Sequence, residues 1–350
     1  MGIGSNRLEW LCFGLAASWL ALPALPARAD AIGDFYKDKR ITIVVGSDAG
    51  GGYDANARML ARYFPRHLAG SPDMVVQNMP GASSVRSANH VYSVAAKDGT
   101  VIAAVQRPVP FEPLFGNPGV QYDVKKINWL GSSSSEVGVA VAWHTSPVKT
   151  IKDMFTHELI VGGTGPGTDT ELFAYALNNV YGTRFKIVSG YTGMAPLVLA
   201  MERGEIEGTV NWTYSDIPNT RPEWLKDKKI TLLLQLGLQR SPELPDLPTP
   251  TDMARNEKER NVFEILMTVK TLGRPFFVAP EVPAGRVEAL QAAFMATMAD
   301  AEFLAEAKRQ KREITPISGP DMAALILKGY DYPEDIKNMA RAAVKPKGGR

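Results

Sequence analysis

Cysteine is almost absent. The 350 residues contain one, Cys12, within the first thirty. A lone thiol rules out a disulfide framework and any cysteine-rich zinc site. Histidine is scarce as well: His67, His90, His144 and His157 are the four, and their spacing matches no metal-ligand pattern. Neither sign of charge dominates. A formal net charge of +2 is too small an excess to neutralise phosphates, and the basic residues are scattered apart from residues 308–312 and a short tail. Nucleic-acid binding is therefore set aside. Catalytic signatures are missing too, with no G-x-S-x-G elbow and no G-x-x-x-x-G-K-[ST]. Ser146-Pro147-Val148-Lys149 satisfies S-x-x-K, but no S-D-N or K-T-G accompanies it. No repeat of fixed period exists, which removes the solenoid and propeller classes.

What is present is ordinary for a soluble globular chain, with 45% hydrophobic and 22% charged residues. The length allows a large core and two domains. The first 29 residues read as an export signal: Arg7 gives a positive start, residues 11–25 are apolar, and Ala27-Arg28-Ala29 forms an A-x-A site. Pro23 and Pro26 interrupt the run before it reaches the roughly 20 residues of a membrane span. Cleavage after Ala29 is expected to release a periplasmic protein beginning at Asp30. That product has no cysteine and must be held together by burial alone.

Residues 41–62, ITIVVGSDAGGGYDANARMLAR, declare the architecture. Ile41, Ile43, Val44 and Val45 suit a strand buried on both faces. Gly50, Gly51 and Gly52 follow in a loop, and Ala57, Leu60, Ala61 and Phe64 then recur at helical spacing. Strand, glycine loop and helix start together aim backbone N–H groups and a helix dipole at whatever lies above. Three adjacent residues without Cβ let a ligand approach the main chain. This reads as an anion cradle, with a tight βα connection capped by Asp54 as the plainer alternative.

Further on, residues 74–76 and 100–105 read as strands with a helix between them. The resulting β-α-β-α-β order implies a parallel sheet with ligands at the strands' carboxyl ends. Residues 108–128 are rich in Pro and Gly and read as a long loop. Residues 137–143 are apolar, and residues 159–161 form a strand feeding a second glycine loop, Gly162-Gly163-Thr164-Gly165-Pro166-Gly167-Thr168-Asp169. A helix follows to about Tyr181. Two such loops suggest facing jaws. Residues 230–236 are an apolar strand, and the C-terminal third predicts helices at 261–272, 287–298 and 302–310 with a short strand at 276–278.

Gly50-Gly51-Gly52-Tyr53-Asp54-Ala55 fits G-x-G-x-x-A, yet Gln77 and Asn78 stand where a dinucleotide site needs an acid, so no cofactor is expected. Asp54 and Asp169 each follow a glycine loop and are expected to cap helix starts, since a carboxylate aimed into an anion cradle would oppose the ligand. Arg107 follows the third strand, where a guanidinium matches a carboxylate; a surface arginine is the equal alternative. Tyr191 and Trp212 end strands of the second half and are candidates for the cleft or for core packing.

Taken together, VGSDAGGGYDANAR, QNMPGAS, KDGTVI, GTGPGTDT and YTGMAPLVLAMERGEIEG resemble the Bug/TctC family, the periplasmic solute-binding proteins of tripartite tricarboxylate transporters. The resemblance runs from about Phe35 to the C-terminal helices. It implies an α/β fold of the two-lobed periplasmic binding protein type, each lobe a mainly parallel sheet flanked by helices, with two hinge crossings near 137–141 and 234–237. Residues 30–138 and 238–350 would form the first lobe and 139–237 the second. It also implies a non-enzymatic, monomeric receptor without metal or cofactor, closing like a flytrap on a small organic anion and delivering it to membrane permease subunits. The carboxylate would be gripped by Ala49, Gly50, Gly51, Gly52, Tyr53 and Asp54 on one side. Gly163, Thr164, Gly165, Gly167, Thr168 and Asp169 would face them. Gly81, Ser83 and Ser84 stand in the family's N-x-P-G-A-G-G stretch, with serines at its last two glycines, and Tyr53 replaces the usual small residue. Two other readings stand beside it: a periplasmic sensor for a membrane kinase, and a hydrolase or isomerase using Asp54 or Asp169 as base.

Overall fold

A computed structural model describes Met1 and residues 26–346. Arg7, Cys12 and the apolar run 11–25 lie outside the described residues; the backbone of Ala27-Arg28-Ala29 belongs to helix Pro26–Tyr36. Among the described residues no helix is long and apolar enough to cross a membrane.

Eleven strands make two sheets among the described residues. The first runs β11-β4-β10-β3-β1-β2, from β1 (Arg40–Val45), β2 (Asp73–Asn78), β3 (Val101–Ala104), β4 (Asn128–Ser132), β10 (Pro275–Val278) and β11 (Ile317–Ser318). The second runs β7-β6-β8-β5-β9, from β5 (Gly138–Trp143), β6 (Leu159–Gly162), β7 (Phe185–Val188), β8 (Gly208–Thr213) and β9 (Ile230–Leu236). β1 pairs parallel with β2 and β3, as the β-α-β-α-β pattern requires, and β6 pairs parallel with β7 and β8. Each sheet also holds a reversed strand: β10 lies between β3 and β4, and β5 between β8 and β9. Both sheets are thus mixed, with a parallel half that carries the glycine loops.

The β-branched run of β1 is enclosed on both faces: Val44 belongs to one hydrophobic cluster, Ile41, Ile43 and Val45 to another. Phe276 and Phe277 of β10 divide in the same way. The second sheet packs Trp212 and Trp143 against Trp224, with ring centroids 5.9 and 4.6 Å away.

The chain passes from the first sheet to the second at residues 133–137 and leaves again after Leu236. Residues 138–141 and 234–236, where the crossings were expected, are paired strand, because β5 and β9 hydrogen-bond to each other. Helix Glu257–Thr271 then packs toward the second sheet: Phe263 stacks on Tyr181 at 4.7 Å, with the rings 11° from parallel. The stretch 108–128, expected as one loop, contains the helical turns Val109–Phe111 and Glu112–Phe115. Their buried Phe111, Leu114 and Phe115 carry the burial that Pro and Gly concealed in the sequence. β4 and helices Gly319–Tyr330 and Glu334–Ala343 also had no counterpart in the sequence reading.

Candidate functional site

The loops following β1, β2 and β3 meet those following β6 and β7 around a cavity of about 390 Å³. From the first sheet its wall takes Ser47, Asp48, Gly51, Gly52, Tyr53, Gly81, Gln106 and Arg107. Thr164, Thr168, Asp169, Thr192 and Gly193 close it from the second. Eight residues singled out in the sequence therefore share one cavity: Gly51, Gly52, Tyr53, Gly81, Arg107, Thr164, Thr168 and Asp169. Strand ends place them there, at the carboxyl edge of each parallel half.

The other candidates stand behind or beside this wall. Ala49 and Gly50 are exposed on their loop. Ser83 Oγ donates to the Pro166 carbonyl across the gap. Ser84 is buried; its hydroxyl donates to the Gly46 carbonyl and accepts from the Gln106 amide. Gly163 is buried, with its amide on the Val188 carbonyl and its carbonyl accepting from the Tyr191 amide. Gly165 and Gly167 shape the turn with φ of 120° and 78°. Tyr191 packs on the second sheet's apolar cluster, where Trp212 is buried.

Many loop amides already have acceptors. Gly50 N donates to Asp54 Oδ2 at 2.8 Å, Thr164 N to Thr170 Oγ1 at 3.0 Å, and Gly165 N to Glu171 Oε1 at 2.8 Å. The Gly51 amide reaches the Asp48 carbonyl at 3.4 Å. Donors with no intrahelical acceptor remain in the first turns of helix Gly52–Tyr63 and helix Asp169–Ala176. The cradle is thus narrower than the glycine count suggests: two helix starts face each other, and the glycines set their approach.

The two aspartates divide. Asp54 turns away from the cavity, accepting from Gly50 N, Arg58 Nε and Asn78 Nδ2. Burial would raise its pKa, but those donors outweigh burial and hold it below the usual carboxylate range. Asp169 does not cap its helix. Its Oδ2 instead accepts from Asn211 Nδ2 at 2.7 Å and lies 3.4 Å from Arg107 Nε.

Arg107 is buried rather than superficial. Its Nη2 pairs with Glu136 Oε2 at 3.1 Å, and its Nε and backbone amide each donate to the Tyr53 hydroxyl at 3.2 Å. Arg274 pairs with the other Glu136 oxygen at 2.8 Å and lies over the Tyr53 ring. Burial alone would neutralise Glu136; Arg274, Arg107 and Lys270 reverse this and hold its pKa well below the usual range. Lys270 is fully buried, and its Nζ has no hydrogen-bond partner. Burial, with Arg107 beside it, lowers its pKa to about 7.

Glu136, Asn211, Lys270 and Arg274 escaped the sequence reading. Lys270 alone left a trace, as the one charge in the apolar run ILMTVKTL. Among the described residues no cluster of His, Cys, Asp or Glu could hold a metal.

The family described as "Tripartite tricarboxylate transporter family receptor" matches residues 57–309. The "UPF0065 protein in gbd 5'region" of Cupriavidus necator is 27% identical over 321 residues, covering 86% of this chain and 94% of that protein. A ligand-free TctC solute-binding protein from Polaromonas superposes with a TM-score of 0.65 at 19% identity, over 87% of this chain and 98% of that one. The malate-bound MatC protein of Rhodopseudomonas palustris gives 0.62 at 17% identity, over 86% and 99%. These structures share the fold.

Proposed function

Since the chain belongs to the tripartite tricarboxylate transporter receptor family, we propose that it captures a small carboxylate between its two loops and delivers it to the permease of such a transporter. The observation that carries this reading is the single cavity between two helix starts, with eight of the candidate residues on its wall. Each helix start offers unpaired amides and roughly half a positive charge, and one carboxylate bridging both favours the closed state over the open one. Residues 30–138 with 238–350 act as one lobe and 139–237 as the other, moving about the passages at 133–137 and after Leu236. The protein works in the periplasm after cleavage behind Ala29, as a monomer without cofactor. The malate seen in MatC makes hydroxy-dicarboxylates a natural first probe. Asp54 is a poor base, because its three donors stabilise the ionised form.

Thermal-shift screening of the chain from Asp30 against malate, adipate, amino acids and aromatic acids tests the reading, since a ligand that binds only the folded state raises its melting point. A rise with at least one carboxylate is expected. No rise with any would remove the receptor assignment. Transport rather than signalling requires permease subunits to co-purify with the loaded receptor; capture of a sensor kinase instead would shift the role to sensing.

A further inference from the structure

Lys270 stands in the last turn of helix Glu257–Thr271, fully buried, and among the described residues its Nζ meets no hydrogen-bond acceptor. Asn211 Oδ1 is likewise buried without a donor. The two side chains meet at Gly138 of β5, where an added Cβ would lie 1.9 Å from Asn211 Oδ1 and 3.1 Å from Lys270 Cε. An unused donor and an unused acceptor thus border the same glycine. Asn211 keeps this place with a φ of 69°, uncommon for a residue other than glycine. Its Nδ2 donates to Asp169 Oδ2 on the cavity wall at 2.7 Å. The amide of Asn211 therefore spans from the wall of the cleft to the buried amine.

Charges reach Lys270 from four places. Arg107 follows β3, Arg274 follows the helix of Lys270 itself, Glu136 lies in the passage between the sheets, and Asp169 opens helix Asp169–Ala176. Two cations and two anions balance. Both anions are already engaged: Glu136 accepts from Arg107, Arg274, Ser134 and Thr213, and Asp169 from Asn211, with Arg107 beside it. Asp216 and Glu313 also feel Lys270, and Arg312 acts against Asp216. An ammonium on Lys270 is consequently the charge to which no carboxylate is committed. Burial and Arg107 bring its pKa to about 7, so both forms of the amine are populated near neutral pH. An anion entering the cleft beside Arg107 and Asp169 brings a negative charge toward that amine, across an interior where charges interact more strongly than in water. We propose that capture of an anion in the cleft draws a proton onto Lys270, so that this buried amine, behind the loop amides, sets how tightly the ligand is held. This rests on the carboxylate-receptor reading and adds a regulator to the same site. The consequence has a direction: affinity rises as pH falls through the range in which Lys270 titrates.

Titration calorimetry with malate, adipate, L-aspartate and benzoate, joined by any other carboxylate that raises the melting point, tests the assignment. Run at pH 7.5 in buffers of low and high ionisation enthalpy, it counts the protons exchanged. A carboxylate that binds should take up roughly half a proton, and should bind about threefold or more tightly at pH 7 than at pH 8.5. In Lys270→Met both the uptake and the pH dependence should vanish, at whatever affinity remains. Carbon-13 NMR of the lysine Cε atoms needs no binding by the variant. The resonance missing from Lys270→Met should titrate well below the other lysines, and at higher pH once the carboxylate saturates the protein. Binding without proton uptake, uptake that persists in Lys270→Met, or a Lys270 titration that the ligand leaves unmoved would each overturn the proposal while the receptor reading survives. Silence from every carboxylate removes both.

Discussion

Ser83 Oγ lies 3.4 Å from the Pro166 carbonyl, so a loop of the first sheet touches a loop of the second at the mouth of the cleft. Deeper in, Arg107 and Asp169 make a second contact between the same halves. The jaws are therefore described in their touching state. At the cleft itself these are a long, exposed hydrogen bond and one partly exposed ion pair, about 1 kcal/mol each at most; the firmer contacts between the halves lie away from it, where Phe263 stacks on Tyr181 and the Tyr181 hydroxyl donates to the Pro250 carbonyl.

The ligand-free protein should accordingly be more open in solution than this arrangement. Solution X-ray scattering should show the radius of gyration fall when a bound carboxylate saturates it. A binding carboxylate that leaves the radius unchanged would mean closed lobes throughout, and the two-jaw capture mechanism would have to be dropped.

Gly51 and Gly165 should separate binding from stability. Gly51 has an ordinary φ of −72°, and only the Asp48 carbonyl, at 3.4 Å, would lie near a new Cβ. Gly51→Val should lose binding at a nearly unchanged melting temperature. Gly165 has a φ of 120°, so Gly165→Val should lose binding and also about 1–3 kcal/mol of stability. Calorimetry paired with melting curves checks both; normal binding by Gly51→Val would reduce its loop to a connection.

The parallel halves of both sheets and the two loops were legible because their signals are local: an apolar run, glycines, then helical spacing. Arg107 could be placed after its strand, yet its burial depends on Glu136, which reaches it from the passage between the sheets. Nothing in SSSSE marks that glutamate as central. Asp169 was expected to cap its helix; the partner that draws it aside, Asn211, lies 42 positions away on β8. Helix Glu334–Ala343 was missed although its buried Ile336, Ala340 and Ala343 recur at i, i+4 and i+7; two of the three are alanines, so the regular spacing was carried by small side chains and passed over.

Lys270 should make stability depend on pH. Its folded pKa of about 7 lies below the ordinary 10.5. The unfolded chain therefore holds the proton more tightly, and the amine destabilises the fold fully below pH 7 and progressively less up to pH 10.5. Lys270→Met should be more stable than the natural protein at pH 6, by on the order of 1.4 kcal/mol for every tenfold difference in proton affinity between the folded and unfolded chains. The gain should shrink toward pH 10 in urea denaturation; an equal gain at both pH values would contradict it.

Glu136→Gln should have the opposite profile. The carboxylate anchors Arg107 and Arg274, and its loss leaves both guanidinium groups short of a partner, at a cost of about 3–5 kcal/mol near neutral pH. Because its folded pKa is depressed, the stabilisation is complete above the ordinary carboxylate range and fades as pH falls through the folded value. The gap between the two proteins should therefore narrow in acid, as chemical denaturation at pH 7 and pH 4 would show.

The place of β10 governs when the molecule can fold. It separates β3 from β4, yet it is supplied by residues 275–278, far along the chain from both neighbours. An emerging polypeptide can pair β1 with β2 and β3, but β4 has no partner in that sheet until the C-terminal part arrives. Such long-range closure slows folding and leaves strand edges unpaired meanwhile. For a chain exported before it folds, as the proposed signal segment would have it, such a delay would keep the polypeptide open for longer, the order of its strands acting as a timer.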